Sequence, residues 1–274
     1  MRSFHRAASI AFAAIGLSVV RAQTPQTLPP DEIARRIAQA VHFGGGLYAL
    51  DRAAAVATRD MLMQVPADQL AGPGGFIVEL ASEATLKVTY YRGQPEQAQA
   101  FFVAEVRDFQ VFGHQRFTEP VALSPAQIVV AKARLTAKKA AEKSGDRPCT
   151  KAPFDIVVLP PQPDGIILVY LLSSQLDAQT YMLGGAYRIV IDESGEVISQ
   201  RPYSVSCLAM SRPKEMPSGG KLVGLTVTHL LDPVPTEMHV LASLMLQLPV
   251  TVATNDNSVW RVTGTTIDRV NRRP

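Results

Sequence analysis

The sequence predicts an α+β fold with a helical N-terminal segment and mostly antiparallel sheets, arranged as two modest domains. Apolar residues from position 33 recur every three or four positions, which is typical of an amphipathic helix. From residue 76 onward, short runs rich in β-branched and aromatic residues alternate with turn residues, which is typical of strands. Short turns between such runs in the second half indicate hairpins.

Two helices are predicted at the N-terminal end of the fold. Ile33, Ile37 and Val41 follow one helical face. The three glycines at 44–46 are expected to end this helix, because glycine is a weak helix former. A second helix, rich in alanine, is predicted over residues 48–64.

Two further helices are predicted from their first residues. Ser124 supplies an N-cap and Pro125 suits the first helical position, so a helix is expected to continue to about Lys143. Thr236 is the expected N-cap of a last helix that continues to about Gln247.

The strands fall on both sides of a polar, turn-rich segment at residues 144–148. This segment is the predicted boundary between an N-terminal domain, residues 23–146, and a C-terminal domain, residues 147–270. The predicted strands of the first domain are 76–80, 85–92, 102–107 and 110–117, and those of the second are 154–159, 166–172, 187–191, 196–200, 222–228, 250–254 and 259–263.

Residues 1–22 have the composition of a signal peptide. A basic start precedes an apolar run and then small residues, which predicts cleavage after Ala22 and a periplasmic or secreted protein. The apolar run is shorter than the roughly 20 residues of a membrane-spanning helix. The alternative is an uncleaved N-terminal anchor, because Arg21 adjoins the cleavage site. No membrane span is predicted after cleavage.

The charge of the mature chain is balanced. The 274 residues carry a formal net charge of +3, and residues 1–22 contain three arginines and no acidic residue. Nothing in this balance predicts binding to nucleic acid. The glycine-rich phosphate-binding loops and the nucleophile and zinc-protease motifs of common enzymes are absent.

The two cysteines, Cys149 and Cys207, are predicted to form a disulfide, because an exported protein folds in an oxidising compartment. The alternative is a pair of free thiols, buried or reactive.

One loop concentrates ionisable side chains between a predicted strand and a predicted helix. His229, Asp232, Glu237 and His239 are therefore the candidate catalytic residues. Zinc could be held by His229, His239 and Asp232 with a position open for water, or one histidine could act as a general base. In the alternative, the histidines and acids only satisfy the backbone and the helix dipole.

Residues 222–264 resemble the back half of a JAB/MPN-type metallopeptidase domain. A strand leads to a histidine-bearing loop, a Thr-x-x-His pattern at a helix start and two later strands. In that family a His-x-His-Pro motif and a later Ser-x-x-Asp supply zinc ligands. Here no histidine lies two residues from His229, and Thr236 and His239 replace the serine and aspartate. The resemblance implies the fold with a degenerate, non-catalytic site.

A basic run at residues 132–151 suggests a second kind of partner. It carries seven basic side chains against two acidic ones. It could contact an anionic polymer or lipid surface, and the alternative is a solvated helix face. The side chains predicted to make this contact are Lys132, Arg134, Lys138, Lys139 and Lys143.

No complete catalytic set is present, so the sequence favours a non-enzymatic binding or assembly module of the periplasm, whose partner is a protein or an envelope component. A metal-dependent hydrolase of peptide or amide bonds, acting through the 229–239 loop, is the alternative.

Overall fold

The computed structural model describes residues 28–70, 72–175, 177, 180–211 and 220–270, and it confirms the α+β class. The signal peptide predicted at residues 1–22 lies outside these residues. Among the described helices, none is both long and apolar enough to cross a membrane. The three helices of this part of the chain are α1 (Pro30–Gln64), α2 (Pro125–Ser144) and α3 (Glu237–Leu246).

The first helix is continuous, so the prediction of two helices separated by the glycines at 44–46 is wrong. A Cβ atom at Gly44 would lie 2.6 Å from the Cβ of Val240 and 2.9 Å from the carbonyl oxygen of Glu237. These atoms belong to the first turns of α3. Gly44 therefore lets α1 and α3 approach closely, and the helix continues because this tertiary contact outweighs the low helix propensity of glycine.

The N-terminal sheet is a four-stranded antiparallel meander in chain order. Helix α2 follows it directly. A capping box begins α2, in which the Ser124 hydroxyl accepts from the backbone N–H of Gln127 and the Gln127 side chain accepts from the N–H of Ser124. The strands are β1 (Gly74–Ser82), β2 (Thr85–Arg92), β3 (Gln99–Arg107) and β4 (Gln110–Ala122).

The second sheet consists of the two predicted hairpins placed side by side. All its neighbouring strands are antiparallel, in the order β5-β6-β8-β9. Two short strands that the sequence did not indicate, β7 and β10, pair separately. The bounds are β5 (Asp155–Val158), β6 (Ile167–Leu172), β7 (Thr180–Met182), β8 (Tyr187–Ile191), β9 (Val197–Pro202) and β10 (Ala209–Ser211).

The third sheet contains the parallel pair that positions the predicted site. Strand β11 pairs in parallel with β12, and α3 forms the crossover between them. The remaining pairs are antiparallel. The strands are β11 (Leu225–His229), β12 (Val250–Thr254), β13 (Val259–Thr263) and β14 (Thr266–Arg269).

One large apolar core extends across both halves of the described chain. Buried Leu47 of α1, Phe102 of β3, Tyr170 of β6 and Val252 of β12 all belong to it. The predicted division at residues 146 and 147 therefore lies in a chain whose two halves share a core, and the two-domain description stays a prediction.

The predicted disulfide is confirmed. Cys149 and Cys207 are bonded, and no free cysteine remains in the described residues. The bridge joins the segment that follows α2 to the segment between β9 and β10.

Candidate functional site

The 229–239 loop joins the end of β11 to the start of α3. His229 is the last residue of the strand, and Thr236 is the N-cap of the helix. Pro233 and Pro235 restrict the backbone between them. The crossover therefore brings the two histidines to one end of the third sheet.

His229 and Asp232 form a buried ionic group with an arginine from β9. The Nε2 atom of His229 lies 2.8 Å from Oδ2 of Asp232, and Arg201 donates to both oxygens of the same carboxylate, at 3.1 and 2.5 Å. Burial opposes ionisation of Asp232, but these hydrogen bonds outweigh it and hold the pKa of Asp232 below its ordinary value. Asp232 is therefore a carboxylate at neutral pH.

His239 is buried and neutral. The backbone N–H of Thr236 donates to its Nδ1 atom at 3.0 Å, so in the neutral ring the proton is on Nε2. Burial, followed by the neighbouring His229, lowers the pKa of His239 to about 3. The two imidazole rings lie edge to face, with centroids 4.7 Å apart. Both rings line a cavity of about 110 Å³.

Glu237 belongs to a different set of contacts. It is buried, and its Oε1 atom accepts from the hydroxyl groups of Tyr170 and Tyr203 and lies 3.3 Å from Nη1 of Arg188. The structure thus brings His229, Asp232 and His239 together. Glu237 instead contacts one residue of β6, one of β8 and the residue after β9.

The three-ligand zinc site considered from the sequence stays a prediction. Nε2 of His229 and Nδ1 of His239 already have hydrogen-bond partners, and Asp232 is held by Arg201. Within the described residues there is no group of three His, Cys, Asp or Glu side chains placed to hold a metal ion.

Sequence reasoning missed the arginines and tyrosines that neutralise these acids. Arg188 and Arg201 are directly opposite each other on β8 and β9. Like charges at such positions are unfavourable unless carboxylates lie between them. The predicted strand ended at residue 200 and the hairpin contains a register shift, so no local signal placed Arg201 opposite Arg188.

A larger cavity lies elsewhere, between α2, the N-terminal sheet and the second sheet. Its volume is about 580 Å³, within the range of small-molecule sites. Apolar and aromatic side chains form much of its wall, and Arg134 and Tyr91 are among its polar groups. The apolar and aromatic residues are Ala131, Leu135, Phe154, Ile156 and Leu171.

Gly75 of β1 allows Tyr91 and Arg134, two polar residues of this cavity, to pack closely against the strand. A Cβ atom at Gly75 would lie 2.9 Å from the Tyr91 hydroxyl and 3.0 Å from Nε of Arg134. Arg134 donates from Nη1 to the carbonyl oxygen of Ile156 at 2.5 Å and lies over the Phe76 ring. The Tyr91 hydroxyl has no hydrogen-bond partner among the described residues, and burial raises the pKa of Tyr91.

Arg134 differs from the other predicted contacts of the basic surface, because it is partly buried. It lies on the inner face of α2, three residues from the buried Ala131 and Ala137. Its spacing from these alanines was the signal for this orientation. Lys132 pairs with Glu96 at 3.3 Å. Contact of an anionic surface with the four lysines stays a prediction. All four lysines are exposed.

Comparison with protein-family models, curated proteins and solved structures finds no match to this chain. The resemblance of residues 222–264 to the JAB/MPN-type domain therefore stays a prediction.

Proposed function

We propose that this chain is an exported, non-enzymatic binding module whose ligand occupies the 580 Å³ cavity beside α2. The single observation that supports this proposal most is the construction of the cavity. It combines apolar side chains with polar ones, among them Arg134 and Tyr91, which use few of their hydrogen-bonding groups on the described residues.

The wall and the polar end define the ligand class. Arg134 makes one hydrogen bond to the described residues although a guanidinium has five N–H donors, so it can bind an anionic head group. Leu135 and Phe154 offer apolar surface to the rest of the ligand. The ligand is therefore a small amphipathic molecule with an anionic or strongly accepting group.

The 229–239 loop supports binding of this ligand less well, because its two carboxylates already have partners within the protein. Asp232 pairs with Arg201, and Glu237 pairs with two tyrosines and Arg188. These carboxylates tie strands to a helix and need no ligand for their own stability.

The binding test uses two fluorescent probes, anionic 8-anilinonaphthalene-1-sulfonate and neutral N-phenyl-1-naphthylamine. Leu135→Trp fills the cavity and is expected to weaken both probes by at least about tenfold. Val129→Trp is the matched control, because Val129 is an exposed residue of the same helix. Arg134→Met is expected to weaken the anionic probe more than the neutral one.

Two outcomes would contradict the binding proposal. One is the absence of saturable binding of either probe to the folded wild-type protein. The other is equal weakening by Leu135→Trp and Val129→Trp, because the probes would then bind outside the cavity.

Export is the second part of the proposal. It is supported by the disulfide, which is typical of proteins from oxidising compartments. N-terminal sequencing of the protein recovered from the periplasm is expected to begin at Gln23. A start at Met1 in a membrane fraction would instead support the uncleaved anchor.

A hydrolase remains the second candidate, favoured by the Asp232–His229 pair. A carboxylate bonded to one imidazole nitrogen orients the ring as a general base, and His229 borders the 110 Å³ cavity. Hydrolysis of a mixed peptide library, lost in His229→Gln but retained in His114→Gln, would support it. His114 is a surface histidine paired with Asp60. Equal rates in the wild type and both variants would exclude His229 as the base.

A further inference from the structure

A second polar cleft lies between the N-terminal third of α1 and the strands β8 and β9. Its volume is about 240 Å³ and its opposite side is formed by the 229–239 loop. Its position differs from that of the 580 Å³ cavity, and the two share no lining residue. Four guanidinium groups line the cleft: Arg35, Arg36, Arg188 and Arg201.

The charges around this cleft are not balanced by the protein. Glu32 pairs with both Arg35 and Arg36, while Asp232 pairs with Arg201. Glu237, the third carboxylate in contact with these groups, pairs with Arg188. Four positive charges therefore meet three negative ones, which leaves the cleft with one excess positive charge at neutral pH.

Arg188 is the least satisfied of the four arginines. Its hydrogen bond to Glu237 is long, at 3.3 Å, and Glu237 already accepts from two tyrosines. The Nε atom of Arg188 is buried and has no hydrogen-bond partner among the described residues. Because this atom is shielded, an acceptor in the cleft would meet the terminal nitrogens of the guanidinium, which lines the cleft.

Arg36 offers the second half of such a site. Only its Nε atom is engaged, at 2.6 Å from Glu32, so its two terminal nitrogens are available to the cleft. In contrast, Arg201 is occupied by both oxygens of Asp232 and by the carbonyl oxygen of Pro202. The available donors therefore come from α1 and β8.

We propose that this cleft binds a small oxyanion, a carboxylate or phosphate group, between Arg36 and Arg188. Guanidinium donors match the geometry of both groups, and 240 Å³ suffices for a small anion with some of its hydration shell. Bound there, the anion would neutralise the excess charge and connect the first turns of α1 to the second sheet.

The test is a titration of the full folded chain with inorganic phosphate and, separately, with succinate at constant ionic strength. The arginine Nε–Hε signals are followed by NMR, so Arg188 reports directly. Saturable displacement of the Arg188 signal is expected with at least one anion. Displacement by phosphate alone would assign the site to a phosphate group, and displacement by succinate alone to a carboxylate.

Matched variants separate this site from general charge effects. Arg36→Gln is expected to weaken binding by at least about tenfold without unfolding the protein, because Arg36 is partly exposed and Glu32 keeps Arg35 as a partner. Arg59→Gln removes the same charge from an exposed position of α1 outside the cleft and should leave the affinity unchanged.

The proposal fails if neither anion displaces the Arg188 signal saturably. It also fails if Arg36→Gln and Arg59→Gln weaken binding equally, because the anions would then respond only to net charge. Neither failure affects the binding proposal for the cavity beside α2, which is tested by different probes and variants.

Discussion

Replacing Gly44 with alanine tests the close contact between α1 and α3. In a free helix this change would stabilise the protein by about 1 kcal/mol, because alanine is the better helix former. Here the added methyl group would lie 2.6 Å from the Cβ and 2.7 Å from the Cγ1 atom of Val240, and 2.9 Å from the carbonyl oxygen of Glu237. These distances are too short for carbon, so α3 must move away.

The cost of that movement exceeds the gain in propensity. Inserting an extra carbon atom into a packed core costs about 1–3 kcal/mol, and the contact with a backbone oxygen places this site at the upper end. A net loss of about 1–2 kcal/mol is expected for Gly44→Ala. For a chain of this size the loss lowers the midpoint of thermal unfolding by about 2–8 °C.

The neighbouring glycine provides the control. A Cβ atom at Gly45 would meet only the Cγ2 atom of Thr265, at 3.8 Å, which is an ordinary contact. Gly45→Ala should therefore stabilise the protein by up to about 1 kcal/mol. Both variants are measured by circular dichroism during thermal and denaturant unfolding. If Gly44→Ala were as stable as Gly45→Ala, the helix contact would be refuted.

Two further predictions concern the disulfide and a buried acid. Replacing Cys149 and Cys207 by serine should lower the free energy of unfolding by up to about 4 kcal/mol, because the bridge closes a loop of 58 residues. Denaturant unfolding curves of the wild type and the variant measure this difference. Equal midpoints would contradict the prediction. Burial, followed by the negative charge of Asp155, raises the pKa of Asp51 to about 6. The folded state thus retains this proton at a pH where the unfolded state, with an ordinary pKa, has lost it. The contribution of this proton to the free energy of unfolding should be complete below about pH 4. The free energy of unfolding should then fall by on the order of 2 kcal/mol as the pH rises to about 6 and above. Asp51→Asn should remove that fall, and parallel pH–stability curves for the two proteins would disprove it.

Local signals in the sequence were sufficient for most of the secondary structure. The strands of the N-terminal meander follow from short β-rich runs between turns, and α2 follows from Ser124 and Pro125. The glycines at 44–46 misled the prediction, because their role depends on Val240, almost two hundred residues away. Strands β7 and β10 are three residues long and pair only with each other, so no local pattern marks them.

The sequence predicts only the part of the site that is formed by residues close to one another in the chain. His229, Asp232 and His239 lie within one strand–loop–helix connection, so their proximity follows from sequence. Arg201 and Tyr170 reach the same region through strand pairing across the second sheet, which spacing alone does not reveal. The helical spacing of Arg134 from the buried alanines of α2 could be read from the sequence. Its charge nevertheless led to its assignment to the predicted basic surface.

The most direct test of the proposed function is the location of the bound anionic probe on the folded chain. Backbone amide signals are compared by NMR with and without 8-anilinonaphthalene-1-sulfonate. The largest changes are expected to cluster around the 580 Å³ cavity, at Tyr91, Arg134, Leu135 and Phe154. Changes confined to His229 and its neighbours in the 229–239 loop, with the signals of α2 unmoved, would contradict the proposed function.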